Sequence, residues 1–188
     1  MSTEVLTPPT VTNGVNVTAM KEVISAVQAN PEIGKFNFRL KNSWIEGDRN
    51  RSTIKDFTGA LTTHRADGKA FVFENGEHQV LLGRDEAPNP VEWVLHALIG
   101  CMTTTTAYHC AARGIEVGAI DSEVDGDLDL RGFLGLSDKV RKGYSQIRVR
   151  MRVQTEAPAE TIKAITDMSP VKDVVGRSVP IDVSVETY

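Results

Sequence analysis

The sequence predicts an α+β fold in which strand-rich segments lie on either side of one long helix. Residues 35–82 contain runs that alternate apolar and polar side chains, which is the two-residue period of strands. From Asn89 to Gly114 apolar residues recur at helical spacing instead, and strand alternation returns in residues 146–154 and 179–185. No internal repeat or linker divides the chain.

Residues 1–34 are expected to precede the main domain, which spans residues 35–188. Residues 1–16 are rich in Thr, Pro, Asn and Gly, a composition typical of a poorly ordered lead-in. A short helix, capped by Thr18 and ended by Asn30-Pro31, is expected to follow this lead-in. One face of that helix is apolar and consists of Met20, Val23, Ile24 and Val27.

An antiparallel sheet is expected in the first half of the main domain. Two strands, residues 35–46 and 51–59, should lie on either side of a polar four-residue turn. Residues 69–73 and 79–82 are separated by Asn75-Gly76, a dipeptide typical of a β-hairpin turn.

The central helix has clear start and stop signals. Asn89 can cap it, Pro90 suits the first helical position, and Gly114 can end it. Its only charged residues are Glu92 and Arg113, so we expect it to be buried on most sides. Its apolar and small residues at helical spacing are Val94, Leu98, Cys101 and Thr105, with Val91, Leu95 and Met102 beside them.

Strands and a third helix are expected after the central helix. Residues 120–130 and 146–154 read as strands, and a helix begins at Pro158, before the alternating strand 179–185. The third helix should bury Ile162, Ile165 and Met168. Along residues 146–154 three arginines alternate with apolar residues, which is typical of the solvent face of a strand: Arg148, Arg150 and Arg152.

Composition excludes several classes of function. With 21 basic and 25 acidic residues the net charge is −4, which gives no support for nucleic-acid binding. No apolar run approaches the roughly 20 residues that span a bilayer, and no signal peptide is recognisable. Two cysteines are too few for a disulfide scaffold, so a cytoplasmic protein is expected. No phosphate loop, dinucleotide motif or helical histidine pair occurs, so we expect neither a cofactor nor a metal.

The two cysteines differ in what their positions allow. Cys101 lies on an apolar helix face, where a thiol is either reactive or simply a small core residue. Cys110 is nine residues later, on the opposite helix face and about 13 Å further along the axis, so the two cannot form a disulfide. Cys110 is therefore expected to be a packing residue. The run Thr103 to Thr106 between them is unusual in a helix, and hydroxyls bonded back to helix carbonyls would explain it.

The segment NPVEWVLHALIGC, from Asn89 to Cys101, resembles the signature of the OsmC/Ohr family. In that family a Pro opens a long central helix, and a Cys follows eleven residues later, as Cys101 follows Pro90 here. Further on, Ser169-Pro170-Val171 and the strand after it resemble the family's Cys-Pro-Val element. The order of elements agrees over residues 35–188, and the chain resembles a divergent OsmC-like member.

The resemblance implies an intertwined homodimer in which antiparallel sheets wrap long central helices. It also implies a cofactor-free site in which the helix Cys attacks a peroxide and becomes a sulfenic acid. A Glu and an Arg orient that Cys, and a second Cys resolves it as a disulfide. On this resemblance Cys101 is the nucleophile. Arg51 is the expected arginine, with Arg49 and Arg84 as rivals.

The chain departs from the family pattern at two positions. Val91 stands where peroxide-reducing members have the Glu, and Glu92, one residue later, is the nearest acidic residue. Ser169 stands at the position of the resolving Cys and cannot form a disulfide.

Two hypotheses follow from these residues. The first is a hydroperoxide reductase for oxidative-stress defence, which uses Cys101, Arg51 and Glu92 and is reduced by an external thiol. The second is a non-catalytic homodimer that binds a small apolar ligand in its dimer pocket. Rapid alkylation of Cys101 would favour the first, because only an activated thiolate reacts quickly.

Overall fold

The computed structural model describes residues 10–177. Within that range the chain forms five α-helices and ten strands, and every strand pair with a described register is antiparallel. The predicted α+β class is thus confirmed. The described chain divides into two compact units, one of residues 10–11 and 15–94 and the other of residues 12–14 and 95–177. The predicted strand 179–185 lies outside the described residues.

Regular secondary structure begins closer to the N-terminus than predicted. Strands β1 (Val11–Thr12) and β2 (Val15–Asn16) form a two-stranded sheet. Asn13 and Gly14 between them have φ of 52° and 76°, the positive values that an Asn-Gly hairpin turn requires. The prediction of a poorly ordered lead-in was wrong for residues 11–16, because Asn13-Gly14 forms a hairpin turn. The remainder of that lead-in lies outside the described residues.

Helix α1 (Val17–Ala29) begins one residue before the prediction. Its cap is Asn16, whose side chain accepts from the N–H of Ala19, whereas the Thr18 hydroxyl accepts from the N–H of Thr10. Asn30 ends the helix as predicted, and a 3-10 turn follows. The predicted apolar face is largely uncovered, since Val23 is 61% exposed.

The first unit contains two three-stranded sheets. Their orders are β3-β6-β7 and β4-β5-β8. The predicted strand 51–59 consists of two strands, because the chain passes from one sheet to the other at residues 55–56. The six strands are β3 (Asn37–Phe38), β4 (Lys41–Glu46), β5 (Arg49–Ile54), β6 (Phe57–Gly59), β7 (Thr62–His64) and β8 (Phe71–Asn75).

The predicted hairpin around Asn75-Gly76 is wrong. Residues 79–82 contain a 3-10 turn rather than a strand, and β8 pairs with β5. The cause is a contact from a distant part of the chain. The Asp48 carboxylate accepts from the N–H of Glu77 at 2.9 Å, and the N–H of Gly76 donates to the carbonyl of Pro88 at 3.3 Å. These bonds direct the chain after β8 away from a hairpin.

Helix α2 (Pro90–Ala112) has 23 residues, and its predicted start and end are confirmed. The Asn89 side chain accepts from the N–H of Val91 at 2.8 Å, and the Glu92 carboxylate accepts from the N–H of Asn89 at 2.8 Å. This reciprocal pair is a capping box. In the single chain the helix is buried along one face rather than on most sides, since Val94 and Tyr108 are exposed. No helix in residues 10–177 is long and apolar enough to cross a bilayer.

The second unit continues with two paired strands and three further helices. In the β9–β10 ribbon each predicted solvent-facing arginine lies against acidic side chains of the other strand. Such exposed pairs add little stability individually. The elements are β9 (Ala119–Asp127), α3 (Leu130–Phe133), β10 (Gln146–Gln154), α4 (Ala159–Thr166) and α5 (Pro170–Gly176).

A small core holds α2 and α4 together. Cys110, Ile162 and Ile165 are buried against one another. Beside them the buried hydroxyls of Thr106 and Thr166 lie 2.9 Å apart. Met168, predicted to share the buried face, follows the end of α4 and is half exposed, because the helix stops at Thr166.

The turn of the N-terminal hairpin is hydrogen-bonded to the segment that follows α2. The Asn13 side-chain amide donates to the carbonyl of Ile115 at 2.9 Å, and its oxygen accepts from the N–H of Val117 at 2.9 Å. The carboxamide therefore pairs as a peptide group of a neighbouring strand would.

We expect Asn13→Gly to lower the free energy of unfolding by about 1–3 kcal/mol, because it leaves two backbone groups without their partners. Glycine keeps the positive φ, so backbone strain does not contribute. Urea unfolding would measure the change. Asn13→Asp keeps the acceptor but loses the donor, so its free energy of unfolding should lie between those of wild type and Asn13→Gly. An unchanged urea midpoint for Asn13→Gly would show that this residue does not stabilise the hairpin contact.

Candidate functional site

Cys101 lies in the middle of α2 and is partly exposed. The helix is continuous from Pro90, so Cys101 is about 16 Å along its axis from Pro90. The helix dipole acts only within the first turn and does not reach the sulfur. One turn earlier, at helical spacing i−3, Leu98 is buried, so an apolar side chain adjoins the thiol on the same helix face.

Cys110 has a different environment. Its side chain is 0% exposed and belongs to the core beneath α4. Burial raises the pKa of the Cys110 thiol, and the nearby Arg113 cation only partly opposes this. A buried thiol with a raised pKa is a poor nucleophile. The prediction that Cys110 is a packing residue is confirmed.

Two of the four threonines after Cys101 are hydrogen-bonded back to carbonyls of the helix. The Thr104 hydroxyl donates to the carbonyl of Gly100 at 3.0 Å, and the Thr106 hydroxyl is 2.9 Å from the carbonyl of Met102. Back-bonding thus explains these two, as the sequence suggested. Thr105 also lies on the buried face of the helix.

Ser169, at the position of the family's resolving Cys, is a helix cap. It is 1% exposed, and its hydroxyl accepts from the N–H of Lys172 at 3.2 Å. Pro170 then opens α5, so the motif leads into a seven-residue helix rather than directly into a strand. The resemblance did not indicate this helix, whose start signal, a Ser followed by Pro, is visible in the sequence.

The two candidate arginines of β5 hold a single carboxylate. The guanidinium of Arg51 lies 2.6 Å from Glu74, and that of Arg49 lies 2.8 Å from the other oxygen of the same carboxylate. Their hydrogen bonds hold the pKa of Glu74 below its usual value. Sequence reasoning missed Glu74. Arg84, the third rival, pairs with Glu46 at 2.9 Å.

Glu92 has a structural role at the start of α2. Its carboxylate accepts from the N–H of Asn89. The structure therefore brings Arg51, Arg49 and Glu74 together, and it places Glu92 on the helix cap. No group of three or more potential metal ligands occurs within residues 10–177.

Comparison with known proteins identifies the family. A family model described as OsmC-like protein matches residues 83–184, which is just over half of the chain. The chain belongs to the OsmC-like family. Both motifs that resemble the family, Asn89 to Cys101 and Ser169 to Val171, lie within the matched residues. No curated protein sequence matches the chain.

Solved structures of OsmC-like proteins share the fold. An OsmC-like protein of Mycoplasma pneumoniae has a TM-score of 0.55 and 11% identity, over 76% of this chain and 89% of that one. An OsmC-like protein of unknown function from Vibrio cholerae has a TM-score of 0.52 and 11% identity, over 76% of this chain and 93% of that one. At such identities the likeness establishes the OsmC-like fold alone.

We expect iodoacetamide to label Cys101 and not Cys110 in the native OsmC-like protein at about pH 8, because only Cys101 is accessible and burial raises the pKa of Cys110. Peptide mass spectrometry would measure both sites. In denaturant both should react, and Cys101→Ser should abolish labelling of the native protein. Equal labelling of the two cysteines before unfolding would contradict the described burial.

Proposed function

We propose that this OsmC-like protein reduces organic hydroperoxides through Cys101 and is returned to its thiol form by an external thiol. The observation that carries the proposal is the partly exposed thiol of Cys101 at the family's position, eleven residues after Pro90. The other cysteine is fully buried in the core and takes no part.

The reaction requires no cofactor. The Cys101 thiolate attacks the terminal peroxide oxygen, an S–O bond forms, and the O–O bond breaks. The alkoxide leaves and takes up a proton to become the alcohol, while Cys101 becomes a sulfenic acid. One external thiol then forms a mixed disulfide with Cys101 and releases water. A second thiol displaces Cys101 as a thiol and leaves the oxidised reductant as a disulfide.

An external thiol is needed because the chain has no resolving cysteine. Ser169 has no sulfur, and Cys110 is buried and nine residues away on α2. A sulfenic acid that meets no thiol reacts with a second peroxide and becomes a sulfinic acid.

Arg51 is the cation that we assign to the site. A guanidinium near a thiol favours the thiolate. Val91 replaces the usual Glu, and Glu92 caps α2. Glu74 contacts both Arg51 and Arg49 and so holds these two guanidiniums in place. Glu92 then supports the site only by fixing the start of the helix.

A homodimer is the second part of the proposal. Large apolar side chains are uncovered in both units of the single chain, and contiguous exposed apolar surface usually marks an interface. On the β4-β5-β8 sheet, Trp44 is 73% exposed, and Phe71 and Val72 are also exposed. On α2, Val94 and Tyr108 are exposed. A second copy would cover surface of this kind.

The alternative is a non-catalytic OsmC-like homodimer that binds a small apolar ligand. The observation that favours it is the loss of two elements of the family's site, at Val91 and Ser169. The two functions differ in what they require of Cys101, because ligand binding does not need a reactive thiol.

We expect the wild-type protein to consume an organic hydroperoxide only when a thiol is supplied, and Cys101→Ser to abolish turnover. Organic hydroperoxides should be preferred to hydrogen peroxide, because the apolar surroundings of the helix favour an alkyl group. Steady-state assays with cumene hydroperoxide and dithiothreitol would measure both.

Cys110→Ala is the matched control and should retain activity. Without thiol, mass spectrometry should find Cys101 as sulfinic acid. Peroxide consumption that persists in Cys101→Ser would overturn the proposal in favour of the ligand-binding alternative.

We expect the protein to be a dimer at micromolar concentration, with an interface above about 2,000 Å², because one copy leaves its apolar faces uncovered. Sedimentation velocity over a range of concentrations would measure the mass. A stable folded monomer throughout that range would contradict this part of the proposal without affecting the assignment of Cys101.

A further inference from the structure

Arg65 has an unusual environment in the segment between β7 and β8. Its guanidinium carbon lies 5.0 Å from the centre of the Phe57 ring and 5.3 Å from the centre of the Phe71 ring. The Nε atom is buried and has no hydrogen-bond partner among the described residues. The backbone φ is 56°, in the left-handed region that residues other than glycine seldom adopt. The described chain therefore holds this side chain in a place that its own hydrogen bonds do not explain.

The charge of Arg65 is not balanced by a carboxylate. No carboxylate within residues 10–177 forms an ion pair with it, whereas Arg39, which follows β3, pairs with Asp56 at 2.6 Å. Aromatic rings attract a cation, but they leave its N–H donors without the acceptors that a carboxylate supplies. Because it is costly to remove a charge from water without a partner, a half-buried guanidinium of this kind is suited to an anion.

An exposed aromatic surface adjoins this cation within the first unit. The rings of Phe36, Phe38 and Phe57 stack on one another, with centroids 5.1 to 6.2 Å apart. Phe38 is 70% exposed, and Phe36 is 51% exposed. Phe57 belongs to this stack and also contacts the guanidinium of Arg65, so the positive charge and the apolar surface are contiguous.

We infer that Arg65 and the stacked phenylalanines form a binding site for an organic monocarboxylate with an apolar body. The carboxylate accepts hydrogen bonds from the guanidinium, a pairing in which both groups are planar. The apolar body lies on Phe36 and Phe38, whose exposed surface it removes from water. Binding here requires no reaction at Cys101, so this function is separate from the proposed peroxide reduction.

The charge at this surface selects among possible occupants. A purely apolar occupant would cover Phe36 and Phe38, but it would remove the donors of Arg65 from water without pairing them. A phosphate dianion would carry one more negative charge than a single guanidinium neutralises. A monocarboxylate with an apolar body satisfies both the cation and the rings.

Ligand-detected NMR titration with 4-phenylbutyrate and 4-phenylbutanol tests the site, because the two molecules share an apolar body and differ in charge. We expect the wild-type protein to bind the carboxylate at least about tenfold more tightly than the alcohol, the effect of a hydrogen bond between charged groups. Arg65→Gln should remove this preference and leave the affinity for the alcohol within about twofold of wild type.

Two further variants separate charge from apolar contact. Arg150→Gln removes the same charge from an exposed strand of the second unit, so it should keep the full preference for the carboxylate. Phe38→Ser should weaken the binding of both ligands by a similar factor, because each uses the aromatic surface. Thermal unfolding of every variant shows whether the fold is retained.

Several results would overturn the site at Arg65. These are equal affinities of wild type for the two ligands, no binding of either, and a preference that persists in Arg65→Gln. Binding that disappears as the protein dimerises would assign the surface to a second copy of the chain instead. If Arg65→Gln does not fold, Arg65→Lys replaces it. Lysine keeps the charge but loses the planar fork, so the preference should fall about threefold or more, and an unchanged preference would again overturn the site.

Discussion

The capping of α2 determines where the site residues of this helix lie. Asn89 and Glu92 each satisfy an N–H group of the first turn, and Pro90 has none to satisfy. Because a helix has 3.6 residues per turn, an uninterrupted helix fixes the angle between any two of its residues. With the start at Pro90, Cys110 lies in the core and Cys101 stays partly exposed.

The parts of the fold that depend on local signals were predictable from the sequence. The bounds of α2 follow from Asn89 and Gly114, and β10 coincides with the alternating residues 146–154. The errors lie where a distant residue intervenes. Asp48 captures the N–H of Glu77, 29 residues away, and converts an expected strand into a 3-10 turn. Neither hydrophobic period nor turn composition contains that information.

The same division holds for the site. The family resemblance predicts Cys101 as the nucleophile from its spacing to Pro90, and Arg51 as its cation from its place in the early strands; both roles stay predictions. Glu74 was not predictable, because it meets Arg51 only through the register of β5 with β8, in which the two residues stand directly opposite. The unusual run of threonines was visible in the sequence, and hydroxyls bonded back to helix carbonyls explain Thr104 and Thr106.

The ion pairs on the β9–β10 ribbon are compatible with more than one alignment of the two strands. Arg148, Arg150 and Arg152 stand opposite Asp125, Glu123 and Asp121. A slip of two residues would still place every arginine opposite an acidic residue, since Asp127 extends the acidic series. The ion pairs therefore do not select one alignment over the other. The ends of the ribbon carry contacts that belong to the observed alignment. The N–H of Gly118 donates to the carbonyl of Gln154, and the Tyr144 ring lies against Gly126, where an added side chain would collide with it.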